Sequence, residues 1–132
     1  KHSQFPDTDY FLMRAAEAYL TFAEADTRAN GGTITAEAKA AIDAIRNRAN
    51  AAVKNTYSLN DILDEWSREF YYEGRRRIDL IRFGQFGGNG DYKWQWKGGV
   101  KEGTVFNTNL NIFAIPDTDL NANPNLVQNP GY

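Results

Sequence analysis

The sequence has 132 residues, 42% hydrophobic and 14% aromatic, enough apolar material for one domain with a real core and too much for a disordered chain. Fifteen Lys and Arg against 17 Asp and Glu leave a net charge of −2, which offers no electrostatic footprint for nucleic acid or an anionic membrane. The absence of cysteine excludes disulfides, thiol catalysis and Cys-based zinc sites, and no apolar run approaches the roughly 18 residues of a membrane span.

The chain opens on "KHSQFPDTDY", without an initiator Met, and reads as a processed product or an excised fragment. Three helical patterns follow. In the first, Asp7, Thr8 or Asp9 can cap, Leu12, Ala16, Tyr19, Leu20 and Ala23 recur at three- and four-residue spacing, and Gly31 and Gly32 form the stop. The second runs from a Thr35 cap through Ala38, Ala41, Ile42, Ile45, Ala49 and Ala52, an alanine-rich face suited to close helix packing. Small residues at these points also fit the paired helices of a tetratricopeptide unit, as they fit a generic helical hairpin. The third helix opens on Ser58 with Asp61 three residues on, a capping-box start, and Ile62, Leu63, Trp66 and Phe70 build its apolar stripe until Gly74 weakens or bends it.

Beyond Phe86, glycines punctuate an alternating Tyr92, Trp94 and Trp96, which reads as a short strand or extended loop with one aromatic face. Two indoles with Tyr92 in line could form an apolar platform for sugar rings, with Asn and Lys side chains for the hydroxyls. The competing reading is that they pin a glycine-rich loop onto the helices. The Asn- and Pro-rich end from Asn107 onward is expected to be ordered coil and turns.

The stretch "EFYYEGRRRIDLIRFGQF" sets charges among aromatic and aliphatic side chains, where they are costly unless paired. If the helix continues past Gly74, Glu69, Glu73 and Arg76 share one stripe, Arg76 meets Glu73 behind and Asp79 ahead, and Arg82 lies three residues from Asp79. Glu17 and Glu24 on the first helix are further candidate partners for Arg76, Arg77 or Arg82. Pairing alone explains these residue types, so the expectation is a structural ion-pair cluster of Glu69, Glu73, Arg76, Asp79 and Arg82 rather than an active site.

The succession "AEAYLTFAEA", "AIRNRAN", "EFYYEGRRRIDLIRFG", "FAIP" and "NANPNLVQNPGY" resembles the C-terminal part of the SusD/RagB family of surface lipoproteins that partner TonB-dependent transporters. The resemblance covers nearly the whole chain and falls on Glu17, Glu24, Arg46, Arg48, Glu69, Glu73, Gly74, Arg76, Asp79 and Arg82, then on Ile115, Pro116 and the closing residues to Tyr132. Trp66 stands where such proteins more often have an arginine, so one charge contact is expected to give way to apolar packing. The resemblance implies an all-α fold over residues 1–132: a tetratricopeptide-like helical hairpin, a third helix and an irregular Gly/Asn/Pro-rich C-terminal segment. It also implies a fragment of a longer protein, exposing an apolar flank on the first two helices where the missing N-terminal half would pack.

The function so implied is non-catalytic capture of an oligosaccharide, or a peptide, at the cell outer membrane and its delivery to a SusC-like TonB-dependent transporter, with the lipid anchor in the missing part. The rival is a stand-alone tetratricopeptide-like protein-interaction module. Enzyme chemistry finds little support. Glu69 and Glu73 sit beside arginines rather than in the apolar surroundings a general acid needs. Asp117, Asp119 and Asn121 have calcium-loop spacing, but Ala122, Pro124 and Gln128 replace the residues such a loop requires. His2 is the sole histidine, no phosphate-binding glycine loop ends in Lys-Ser/Thr, and neither metal nor other cofactor is expected.

Overall fold

The computed structural model describes residues 11–88 and 92–132, and the caps expected at Asp7, Thr8 or Asp9, like His2, lie outside them. The chain divides into two compact units, Lys1–Phe70 and Tyr71–Tyr132.

The first unit holds α1 (Ala15–Ala29), α2 (Ala36–Arg48) and α3 (Leu59–Glu69), each packed on the other two. Helix α1 begins later than the spacing suggests. Leu12 precedes it and is exposed, and the side chain of Arg14 at the N-cap makes no capping bond to the first turn. From there the pattern holds on one side: Ala16, Leu20 and Ala23 are buried, while Tyr19 is 45% exposed. Gly31 and Gly32 end the helix with φ of 63° and 88°, a left-handed exit that lets the Gly32 amide donate to the Thr27 carbonyl at 2.8 Å.

Thr35 caps α2 by accepting from the Ala38 amide at 3.2 Å, and its hydroxyl donates to Asp26 at 2.6 Å, tying the second helix to the end of the first. Ala38, Ala41, Ile42 and Ile45 are buried; the helix stops before Ala49 and Ala52. The segment between α2 and α3 is held by Tyr57, whose hydroxyl accepts from the Lys54 amide at 3.0 Å and donates to Asp43 at 2.7 Å. Burial, and then Asp43, raise the Tyr57 pKa; at Asp43 burial is outweighed by the bonds from Lys39 and Tyr57 together with the charges of Lys39 and Arg46, and the pKa is lowered.

Helix α3 starts with the expected capping box: Ser58 Oγ accepts from the Asp61 amide and Asp61 Oδ2 accepts from the Ser58 amide at 2.8 Å. Ile62, Trp66 and Phe70 join Leu20, Ala23, Ile42 and Ile45 in one core, with the Trp66 and Phe70 rings 5.1 Å apart. The helix does not run past Gly74. Tyr72 and Gly74 adopt left-handed conformations, with φ of 64° and 76°, and α4 (Arg76–Arg82) starts afresh in the second unit.

That second unit has little regular structure. Beyond α4 it contains 3-10 turns at Lys97–Gly99 and Thr108–Asn111, an isolated bridge between Gly87 and Phe106, and α5 (Asp117–Ala122), a short helix inside the stretch expected to be coil. Pro116 sets up its start with φ of −57°, and Asp117 and Asp119 occupy its first turn, where acidic side chains suit the helix dipole. No strand forms among the described residues, so the fold is all-α with an irregular C-terminal segment.

One face of the α1–α2 hairpin is open. Ala18, Tyr19, Phe22, Glu37, Ala40 and Ala41 line a shallow hollow of about 430 Å³, and Phe22 is 48% exposed. The isolated chain should therefore bind an apolar fluorescent dye, and Tyr19→Ser with Phe22→Ser should abolish most of that signal at unchanged helix content. A dye-silent chain would show that the face is too small or too polar to matter.

Asp61 gives a second test. Bonds from Lys54 and Ser58 lower its pKa from 3.8 to about 2, so its contribution is complete above about pH 4 and is lost as pH falls through about 2. Asp61→Asn should cost about 1 kcal/mol at neutral pH, by chemical denaturation, with the gap to the parent closing as the pH approaches 2. A gap that stays constant down to pH 2 would remove the carboxylate from the account.

Candidate functional site

The charge cluster does not lie on one helical stripe, because α3 and α4 are separate helices. Because α3 ends at Glu69, that carboxylate stays within the first unit. It accepts from Arg48 Nη2 at 2.6 Å and also from Arg14, whose guanidinium reaches the Glu69 backbone carbonyl as well and lies 4.0 Å over the Phe70 ring. The Glu69 side chain is 6% exposed. One turn earlier, Glu65 accepts from Arg46 Nη1 at 2.5 Å and from Arg68 Nη1 at 2.8 Å. Glu24 on α1 accepts from Arg28 at 3.0 Å and from the Trp66 indole at 3.1 Å. Trp66 packs in the core against Phe70 and also makes this polar contact, because an indole has both a large apolar body and one N–H donor.

The remaining members lie in the second unit. Asp79, 1% exposed, accepts from Arg82 Nη2 at 3.0 Å, the pair three residues apart that the spacing suggests. Arg76 donates to the Tyr92 hydroxyl at 3.0 Å. Arg77 donates to the Leu110 carbonyl at 2.7 Å and lies over the Phe113 ring at 3.9 Å, so Arg76 and Arg77 of the arginine triplet hold loop segments. Glu73 is half-buried in the turn before α4.

The aromatic segment is a tight loop rather than a strand. Trp96 adopts a left-handed conformation with φ of 68°, and Gly98 and Gly99 follow at 70° and 79°. Gly103 crosses so close to the Trp94 carbonyl that a Cβ there would sit 2.2 Å from its oxygen. The Tyr92 and Trp94 rings are 5.7 Å apart and tilted by 47°, Trp94 is 37% exposed and Trp96 is 63% exposed. The three rings therefore do not form one flat face.

Sequence reasoning passed over Lys97, the residue at the centre of this loop. It is 1% exposed, and its Nζ donates to the Phe86 carbonyl at 2.8 Å and the Tyr92 carbonyl at 2.9 Å. The ammonium lies 4.5 Å from the Trp94 ring, 4.9 Å from Phe106 and 5.7 Å from Phe86. Burial lowers its pKa from the usual lysine value. A lone lysine beside two glycines gives no signal of burial, since its cage is assembled from residues on both sides of it in the chain.

The closing residues are held by side-chain amides. Gln128 bonds the Ile115 backbone in both directions at 2.9 Å, Asn129 donates to the Phe113 carbonyl at 2.8 Å, and Asn109 donates to the Gly131 carbonyl at 3.0 Å. The Tyr132 hydroxyl donates to the Ile112 carbonyl at 2.7 Å. Gln128, weighed as a failed calcium ligand, is thus a backbone clamp. Among the described residues, no group of three or more His, Cys, Asp or Glu side chains comes together as a metal site would need.

Glu69→Ala should destabilise the chain by about 2 kcal/mol, because it removes the buried carboxylate that joins α3 to Arg14 and to Arg48 on α2. Trp66→Phe should cost about 1 kcal/mol or more by taking one donor from buried Glu24. Thermal unfolding measures both; a Glu69→Ala chain that melts like the parent would sink the view that this carboxylate joins the helices.

Comparison with known proteins agrees with this arrangement. The SusD family profile matches residues 1–132. The chain is 49% identical over 132 residues to the starch-binding protein SusD of Bacteroides thetaiotaomicron, covering 99% of this chain and 23% of that protein. Among solved structures it is similar to a SusD superfamily protein from Parabacteroides distasonis, with a TM-score of 0.75 and 28% identity over 93% of this chain and 27% of that one. It is similar too to the surface glycan-binding protein A of Bacteroides uniformis, with a TM-score of 0.74 and 30% identity over 91% of this chain and 27% of that one. The chain spans about a quarter of the length of each of these relatives. With the family profile matched over the whole chain, this chain belongs to the SusD family.

Proposed function

We propose that this chain is the C-terminal part of a longer, non-catalytic protein that binds an oligosaccharide at the cell outer membrane and delivers it to a SusC-like TonB-dependent transporter. The observation that carries this reading is the 49% identity, over 99% of the chain, to a protein named for binding starch. The similarity to a surface glycan-binding protein supports the same ligand class. The described residues contribute a scaffold: buried carboxylates are matched by arginines and an indole within the first unit, which suits support rather than proton transfer. Of Tyr92, Trp94 and Trp96, the exposed Trp96 is the residue here best suited to touch a sugar.

A peptide ligand and a stand-alone protein-interaction module are the competing readings. The open apolar face of α1 and α2 favours the second of these, since such a face also suits a protein partner.

Calorimetric titration of the full-length protein with maltoheptaose, cellohexaose, laminarihexaose and an unrelated tetrapeptide separates the three. Binding of at least one glycan, with no product released on prolonged incubation, is the expected outcome. Binding of the peptide alone would shift the ligand class, binding of none would favour the interaction module, and sugar release proportional to protein concentration would overturn the non-catalytic assignment.

A further inference from the structure

The loop around Lys97 combines two costs that packing alone does not require together. A lysine is buried to 1% exposure, and the residue before it is a tryptophan held at φ of 68°, a conformation that costs a non-glycine residue roughly 1–2 kcal/mol, with its indole 63% exposed. A large apolar side chain kept outside at the expense of backbone strain gains nothing from burial.

The loop has little room to relax. The Lys97 amide donates to the Trp94 carbonyl at 3.1 Å, the Thr104 amide to the Lys97 carbonyl at 3.1 Å, and the Gly99 amide to the Trp96 carbonyl at 3.0 Å. A Cβ on Gly98 would meet Thr104 Cγ2 at 2.5 Å. At the centre, the Lys97 ammonium gathers the Phe86 and Tyr92 carbonyls and the Trp94 and Phe106 rings around one point.

The three aromatic residues are thereby divided. Trp94 lies against the ammonium, and the Tyr92 hydroxyl accepts from Arg76 while its carbonyl accepts from Lys97. The Trp96 indole is presented to solvent. We propose that Trp96 is a stacking surface for the apolar face of a hexose ring and that Lys97 is its positioning residue, with Trp94 and Tyr92 serving as scaffold. This rests on the carbohydrate-binding reading above. The polar neighbours in sequence, Lys93, Gln95 and Lys101, are exposed and suit the hydroxyl edge of the same ring.

The test uses the full-length protein and the panel sugar that it binds most tightly, titrated well below the melting temperature of every variant. Trp96→Ala should weaken binding about tenfold at unchanged melting temperature, the loss of a stacking contact worth about 1.4 kcal/mol. Lys97→Met keeps the length and apolar stem but removes the donor to both carbonyls. It should weaken binding several-fold with far-ultraviolet circular dichroism unchanged and should alter acrylamide quenching of tryptophan emission. A Lys97→Met protein that only melts earlier and binds as tightly as the parent would reduce Lys97 to a stabilising residue. Trp96→Ala binding at full strength would remove the stacking surface while leaving carbohydrate binding intact. A parent that binds none of the panel sugars would bring down the carbohydrate reading, and this inference with it.

Discussion

Helix α3 can pack on the hairpin only if the carboxylates it carries inward are neutralised where they are buried. Glu65 and Glu69 are both less than 10% exposed at the side chain, and an isolated ionised carboxylate at such depth would cost more than the apolar contacts of one helix return. Arg46 and Arg48 from α2 and Arg14 from the start of α1 supply the counter-charge, and Arg46 also donates to the Ala52 carbonyl just beyond its own helix. The same seam includes Trp66, which fills the core with its rings and satisfies Glu24 with its N–H. The position of α3 is therefore set by ion-pair and hydrogen-bond geometry as well as by the apolar stripe of Ile62, Trp66 and Phe70.

The second unit solves the opposite problem, an excess of backbone without helices or strands to pair it. Its carbonyls are met by side-chain donors: Lys97 on Phe86 and Tyr92, Arg77 on Leu110, Asn129 on Phe113, Gln128 on Ile115, Asn109 on Gly131 and Tyr132 on Ile112. All of these but the Lys97–Tyr92 bond join residues distant in sequence, so they close loops as well as satisfying polar groups. This explains why an Asn-, Gln- and Gly-rich tail is ordered: its amides carry both a donor and an acceptor, and Gln128 uses both on one residue's backbone in the manner of a sheet partner.

The two units are stiffened in different ways, one by a helical core and the other by side-chain clamps on its loops. The Lys97 cage shows how a loop can be made stiff without regular structure, by converging carbonyl dipoles and ring faces on a buried cation.

The sequence by itself determined the local structure of the first unit. The Ser58–Asp61 capping box, the Thr35 cap and the Gly31–Gly32 stop depend on residues within four positions of one another, and the buried stripes of α2 and α3 follow from helical periodicity. The succession of motifs also carried the family. Three things were decided only by the tertiary structure. Glu69 is met by Arg14 at the start of α1 and Arg48 on α2, Glu65 by Arg46 on α2, and Glu24 by the Trp66 indole on α3, and spacing along α3 and α4 does not reveal partners on other helices. The break at Tyr72 and Gly74 separates α3 from α4, because two left-handed residues interrupt a pattern that otherwise reads through. The Lys97 cage has no local signature at all, since burial of a cation depends on Phe86, Trp94 and Phe106 arriving together, and that convergence is a property of the folded loop rather than of any spacing in the chain.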